Sequence, residues 1–230
     1  MKKIVLAALV AAAFAPSFAM AEAGDFVVRV RAVNINPDED SKLGATVNTN
    51  VGAGTMSQGA ELAVDSNTIP EIDFSYYITK NIAAELILAT GTRHDVKVKG
   101  DAAGNILNQG LGSVNLLPPT LTIQWHFNPD QMIDPYVGAG VNYTRFMDKS
   151  LTFSQGVAAG APIRVDTNSF GMALQAGVDI NLKDGWLINA DVKKVWIDTD
   201  VKTNLGAGWV KIDSLDIDPW VFGIGVGKKF

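Results

Sequence analysis

Eight stretches of this chain alternate apolar and polar residues one by one, and a period of two makes each a β-strand with one face in an apolar medium. In the first, Phe26, Val28, Val30 and Ala32 alternate with Arg29 and Arg31. In the second, Ile72, Phe74, Tyr76 and Ile78 alternate with Glu71, Asp73 and Ser75. The others run through 82–89, 121–127, 137–144, 170–180, 186–193 and 220–230. Short turns at 79–81, 128–134 and 182–185 join some neighbours. Long Gly-, Ala- and Asn-rich links near 36–60, 93–116, 148–168 and 198–211 join the rest.

Short turns on one side and long loops on the other are the plan of an eight-stranded antiparallel outer-membrane β-barrel. A soluble barrel or sandwich also alternates, but it leaves unexplained the glycine and charge on the opposite strand faces and the aromatic carboxy terminus. Phe26, Tyr76, Trp125, Phe127, Tyr136, Trp186 and Phe230 lie near strand ends, where an interfacial girdle is expected. Among 230 residues there is no cysteine, which excludes a disulfide scaffold, and only two histidines. A formal net charge of −5 excludes a basic nucleic-acid surface, so no nucleic-acid partner is expected. Met1-Lys2-Lys3, the apolar run 4–14 and Ala19-Met20-Ala21 read as a secretory signal peptide cut after Ala21. That run falls well short of the about 20 residues a spanning helix needs. The expected organisation is a removed 1–21 and a single barrel over 22–230.

Several strings are more specific. Asn81-Ile82-Ala83-Ala84-Glu85-Leu86 opens the third strand, and Leu117-Pro118-Pro119-Thr120 leads to Gln124 and Phe127. Tyr136-Val137-Gly138-Ala139-Gly140-Val141-Asn142-Tyr143 follows, and Asp218-Pro219-Trp220-Val221 precedes the closing Phe230. In this order and spacing the chain resembles the OmpW family of small outer-membrane barrels. The resemblance is strongest over 69–92, 116–147 and 170–230. It implies a non-catalytic barrel, resident in the outer membrane of a Gram-negative cell, that helps small hydrophobic molecules across. It also implies that Ile224, Val226 and Phe230 form the carboxy-terminal signal read by the barrel-assembly machinery. Lipid and lipopolysaccharide are the expected surroundings.

Eight strands enclose a lumen that side chains nearly fill, which leaves room for one small ligand. Inward Arg29, Arg31, Glu71, Asp73, Glu85, Asp191 and Lys193, with Gln124 and Asp179, fall in the lower, periplasmic half. They are expected to pair as a salt-bridged plug, because an isolated charge there would cost several kcal/mol. Arg31 is expected within a residue or two of Asp73, and Lys193 beside Asp191 or Glu85. A Lys193 reaching upward would instead favour amphiphiles with an anionic head. Above the plug, Val33, Ile69, Ile87, Ala89, Leu117 and Phe146 are expected to form an apolar lumen. Leu43, Val47, Val51, Met56, Ile106, Leu107, Leu111, Leu151, Phe153, Val157, Leu205 and Trp209 suggest either a greasy vestibule or loop cores packed on themselves.

A hydrophobic solute would gain at such a mouth and pay to cross a charged plug, so sideways exit into lipid is the cheaper path. Pro118 and Pro119 lack amide hydrogens, and with Gly91 they mark a lateral gate between the third and fourth strands. Plain termination of pairing is the alternative. A structural or adhesive barrel whose loops bind host, phage or lipopolysaccharide is the competing function. No G-x-S-x-G, H-E-x-x-H or P-loop occurs, and no cofactor or metal is expected. His126 reads as lumenal with no inward serine evident, and His94 as a solvated strand end. The acidic groups 38–40 and Asp213, Asp216 and Asp218 lack calcium-loop spacing.

Overall fold

The computed structural model describes residues 22–89, 92–101 and 105–230. The expected signal peptide, 1–21, and Gly91 of the expected gate lie outside them. With strands numbered in chain order, eight close a barrel: β1 (Phe26–Asn36), β3 (Asn67–Tyr77), β4 (Ile82–Ala89), β7 (Thr120–His126), β8 (Ile133–Thr152), β10 (Asn168–Asn181), β11 (Trp186–Val195) and β14 (Trp220–Lys229). Each pairs antiparallel with the next, β8 with β10, and β14 returns to β1. At the closing seam the Phe26 amide donates to the Phe230 carbonyl at 3.1 Å, and the Phe230 amide donates back at 2.8 Å.

The alternation turns the barrel inside out relative to a soluble one. Outward Val30, Leu121, Ile123 and Val226 are each more than half exposed, as a lipid-facing band requires, while inward Arg29, Asp73, Glu85 and Gln124 are fully buried. Phe26, Tyr76, Trp125, Phe127, Trp186 and Phe230 are exposed on the outside near the short-turn end. Tyr136 is not among them. It points into the lumen, where Gly177 directly across on β10 makes room: a methyl at Gly177 would overlap the Tyr136 ring.

The long links are not irregular loops. They hold β2 (Glu61–Val64), β5 (Thr92–Lys99), β6 (Gln109–Leu117), β9 (Pro162–Val165), β12 (Asp198–Asn204) and β13 (Trp209–Asp216), which extend the barrel wall upward, and one helix, α1 (Leu43–Asn50), beside β13. Inward Leu62, Val96, Val98, Leu111, Val114, Leu151 and Ile163 give this crown its own apolar core, joined by Leu43 and Val47 of α1. Leu107, Val157 and Leu205 stay exposed.

Candidate functional site: an apolar column above a charged plug

The plug is one continuous network. Arg29 bonds Asp179 through Nε (3.3 Å) and Nη2 (2.6 Å), and through Nη1 it reaches Asp73 (3.1 Å) and Ser75 (2.7 Å). Arg31 lies across from Glu71, and Arg29 across from Asp73. Arg31 still contacts Asp73 diagonally at 2.8 Å, with Glu71 at 2.9 Å and Glu85 at 3.3 Å. The first two of these are charge contacts lying off the hydrogen-bond axis. Lys193 donates to Asp191 (2.6 Å) and Glu71 (3.0 Å), not to Glu85. Glu85 instead accepts from Gln124 (2.9 Å) and Gln175 (2.8 Å). All seven expected plug residues are therefore buried together, and Lys193 is held sideways within the plug. Tyr136 donates to Asp191 at 2.9 Å and accepts from Asn189 at 3.0 Å, adding neutral partners.

Above the plug lies an apolar cavity. Glu71, Lys193, Thr120 and Asn142 line it among apolar side chains that include Val33, Ile87, Ala89, Val195 and Val221. Ile69 packs beside it with Val33 and Ala89. A second cavity follows upward, lined by Phe146, Leu62, Val114 and Leu151; the two share Val64, His94, Leu116 and Ile217. A third lies among Val47, Val51, Met56, Ile106, Phe153 and Leu205. Val47, Met56, Ile106 and Phe153 are thus loop core and cavity lining at once, while Leu107 and Val157 stay exposed outside both.

Two expectations here need correction. Leu117 does not face the lumen: it pairs with exposed Arg145, while its neighbour Leu116 pairs with inward Phe146. A register irregularity between Ser113 and Asn115 shifts the phase, which simple alternation across 93–116 cannot register. His94 is not a solvated strand end but sits buried on the inward face of β5, at the junction of the two cavities.

Among the described residues, the β4–β7 ladder runs up to Ile87 opposite Thr120, and the β5–β6 ladder begins at Thr92 opposite Leu116, both beside the lower cavity. Pro118 and Pro119 fall in this interval and have no amide to offer. On the other side the Pro119 carbonyl is held by the Tyr143 amide at 3.1 Å, so β8 remains joined. The upper lip is latched by a side chain: Thr92 Oγ1 donates to the Leu116 carbonyl and accepts from the Leu116 amide at 3.0 Å. Ile87, Ala89, Thr92, Leu116, Pro118 and Thr120, the two edges of this interval, all line the lower cavity.

Over residues 22–230 the sequence matches the OmpW family. The chain belongs to the OmpW family. Outer membrane protein W of Escherichia coli K12 is 36% identical over the full length of both chains. Among solved structures, OprG of Pseudomonas aeruginosa superposes with a TM-score of 0.78 at 33% identity, covering 91% of this chain and 97% of that one. AlkL in lipid bilayers gives a TM-score of 0.64 at 26% identity, covering 92% of each chain. This OmpW-family barrel accordingly lies in the lipid of the outer membrane.

Near the short-turn end of the barrel, His126 contacts Asp134 at 2.7 Å through Nδ1 and lies between the rings of Tyr77 and Tyr136. His126, Asp134 and Asp179 bring ligand atoms close enough for a metal ion among the described residues. Those atoms are already engaged by each other, by Arg29, by Asn189 and by the Asn128 amide, and the adjacent guanidinium opposes a second cation. Ser75 is an inward serine that the alternation placed correctly and the search for a nucleophile passed over; Arg29 occupies it.

At the mouth two carboxyls are displaced in opposite directions. Burial pushes the Asp213 carboxyl up, although Ser41 Oγ (2.5 Å) and the Lys42 amide (3.0 Å) donate to it. Burial works the same way on Asp101, but there the amides of Ser57 (2.7 Å), Leu107 (2.8 Å) and Ile106 (3.1 Å) prevail and hold it below its ordinary value.

Proposed function

We propose that this barrel passes small hydrophobic or amphiphilic molecules across the outer membrane. They enter through the apolar crown and leave sideways into the lipid above the charged plug. The observation that carries this reading is the position of the lower cavity, floored by Glu71 and Lys193 and bordered by the ends of the β4–β7 and β5–β6 ladders. A solute that leaves water for the apolar column is favoured by about 25 cal/mol per Å² of its surface. Passage on through the plug would require parting buried ion pairs, whereas above Ile87 no ladder pair joins β4 to β7 among the described residues. The family resemblance supports the same solute class. We further read the chain as exported by a signal peptide cut after Ala21, assembled by the barrel-assembly machinery through Ile224, Val226 and Phe230, and without catalytic activity.

The adhesive alternative draws on the crown's shape, since the outward faces of its strands carry Arg93, Asp95 and Lys99. Uptake of a small hydrophobic solute by cells with and without the protein separates the two readings. Wild type should speed uptake, and Ile87→Arg, which drives a charge into the lower cavity, should abolish it while heat-modifiable gel migration shows a folded barrel. No difference between wild-type and protein-free membranes would discard transport and favour a loop-binding role.

A further inference from the structure

Within the lower cavity one buried ionisable side chain stands outside the plug. His94 is 4% exposed and borders both cavities where they meet. Its Nδ1 lies 2.8 Å from the backbone carbonyl of Asp65. A carbonyl can only accept, so Nδ1 carries the ring proton, and Nε2 of the neutral ring is a lone-pair acceptor. Among the described residues Nε2 has no partner. Glu71 shows the same polarity at the floor: its Oε1 takes both Arg31 and Lys193, and its Oε2 has no partner among the described residues. The hydroxyls nearby are already engaged, Thr92 with Leu116 and Thr120 with the Pro118 carbonyl and Asn142. Besides the third ammonium hydrogen of Lys193, which donates two to Glu71 and Asp191, the polar atoms left open to this cavity are acceptors, set in an apolar wall.

We propose that His94 is a specificity-determining residue of the conduit, its Nε2 accepting a hydrogen bond from the hydroxyl of an otherwise apolar solute. The barrel then favours medium-chain alcohols and phenols over hydrocarbons of the same size. A hydrocarbon in the cavity leaves a buried acceptor unpaired, whereas a hydroxyl satisfies it, and that difference discriminates between solutes of equal apolar area. The proposal rests on the reading of the cavity as a solute path, so its test has an arm that does not depend on transport.

The chain has only two histidines, so ¹⁵N-histidine labelling of the protein in lipid nanodiscs gives two rings to follow, and His94→Phe assigns them. Added 1-octanol should move the unprotonated ring-nitrogen resonance of His94, and an equal membrane fraction of n-octane should not. In cells, His94→Phe should lower the ratio of octanol to octane uptake by roughly threefold to tenfold, the worth of one net hydrogen bond. His94→Gln, whose amide oxygen can still accept, should restore part of it. A His94 resonance unmoved by octanol, or moved equally by both solutes, overturns the proposal, as does an uptake ratio unchanged in His94→Phe. If the wild-type protein speeds neither solute, the conduit reading falls, while a selective octanol response at His94 would still support the acceptor site.

Discussion

Arg29 on β1 and Asp179 on β10 are joined by two hydrogen bonds, of 3.3 and 2.6 Å, across a lumen in which β11 and β14 separate their strands in the barrel wall. This pair braces opposite parts of the barrel as well as neutralising charge. Arg29→Met leaves Asp179 and Asp73 buried without that cation, and we expect it to cost about 3–5 kcal/mol of unfolding free energy. Asp179→Leu alone should also destabilise. The double variant should recover part of the loss, with a coupling of more than about 1 kcal/mol in urea unfolding from liposomes. Strict additivity would show that the brace carries no energy of its own.

Among the described residues the β4–β7 ladder ends at Ile87 opposite Thr120, next to two prolines, which predicts a gain of pairing when an amide is restored. The Pro119 carbonyl faces Tyr143 on β8, so of the two restored amides only that of residue 118 can face β4. Pro118→Val/Pro119→Val can therefore add one ladder bond there, worth about 1 kcal/mol, enough to lower an open population about fivefold. Hydrophobic uptake should fall accordingly in a well-folded double variant. Thr92→Val works the other way by removing the hydroxyl latch on Leu116, and uptake should rise or hold. Unchanged uptake in the proline double variant would leave the two prolines as plain strand terminators.

The barrel strands were legible because lipid on one side and a packed lumen on the other impose a clean period of two. Arg29, Arg31, Asp73 and Glu85 could be placed together for the same reason, and the pairing sets Arg31 opposite Glu71, two residues from Asp73, within the expected range. Tyr136 was misread because aromatics near strand ends belong to girdles by default; its shared parity with inward Gly138, Gly140 and Asn142 pointed to the lumen. His94 shares the parity of Thr92, Val96 and Val98, but the glycines and irregular register of 109–117 hid the strand partner that makes 92–99 a strand. No local pattern could reveal the Thr92 latch or the union of plug floor and ladder ends in one cavity, since both depend on which strands meet at one height.

Gly177 should not tolerate a side chain. A methyl there meets the Tyr136 ring and the backbone carbonyl of Ala190, and the tyrosine cannot retreat without losing Asp191 and Asn189. Overpacking of this kind costs about 1–3 kcal/mol, so Gly177→Ala should lower thermal stability by that amount. Gly177→Ala/Tyr136→Phe should recover little, because the ring that collides remains. If Gly177→Ala melts like wild type, the lumen is looser around Tyr136 than its burial implies.

Acid should loosen one side of the mouth. Asp101 is held below its ordinary value, since the Ser57, Leu107 and Ile106 amides outweigh burial. A carboxyl lowered in the folded state adds stability that is present above its unfolded value near about 3.9 and is lost as pH falls through the folded value. Asp213 has the opposite sign: burial raises it, so its contribution is present in acid and lost as pH rises through its folded value. Lowering the pH from 5 to below the lowered Asp101 value should therefore release the amides of Ser57, Ile106 and Leu107 to hydrogen exchange, after correction for intrinsic rates. Asp101→Asn should show the released pattern already at pH 5. Equal protection of these three amides at both pH values would mean that backbone packing, and not the Asp101 carboxylate, holds this part of the crown.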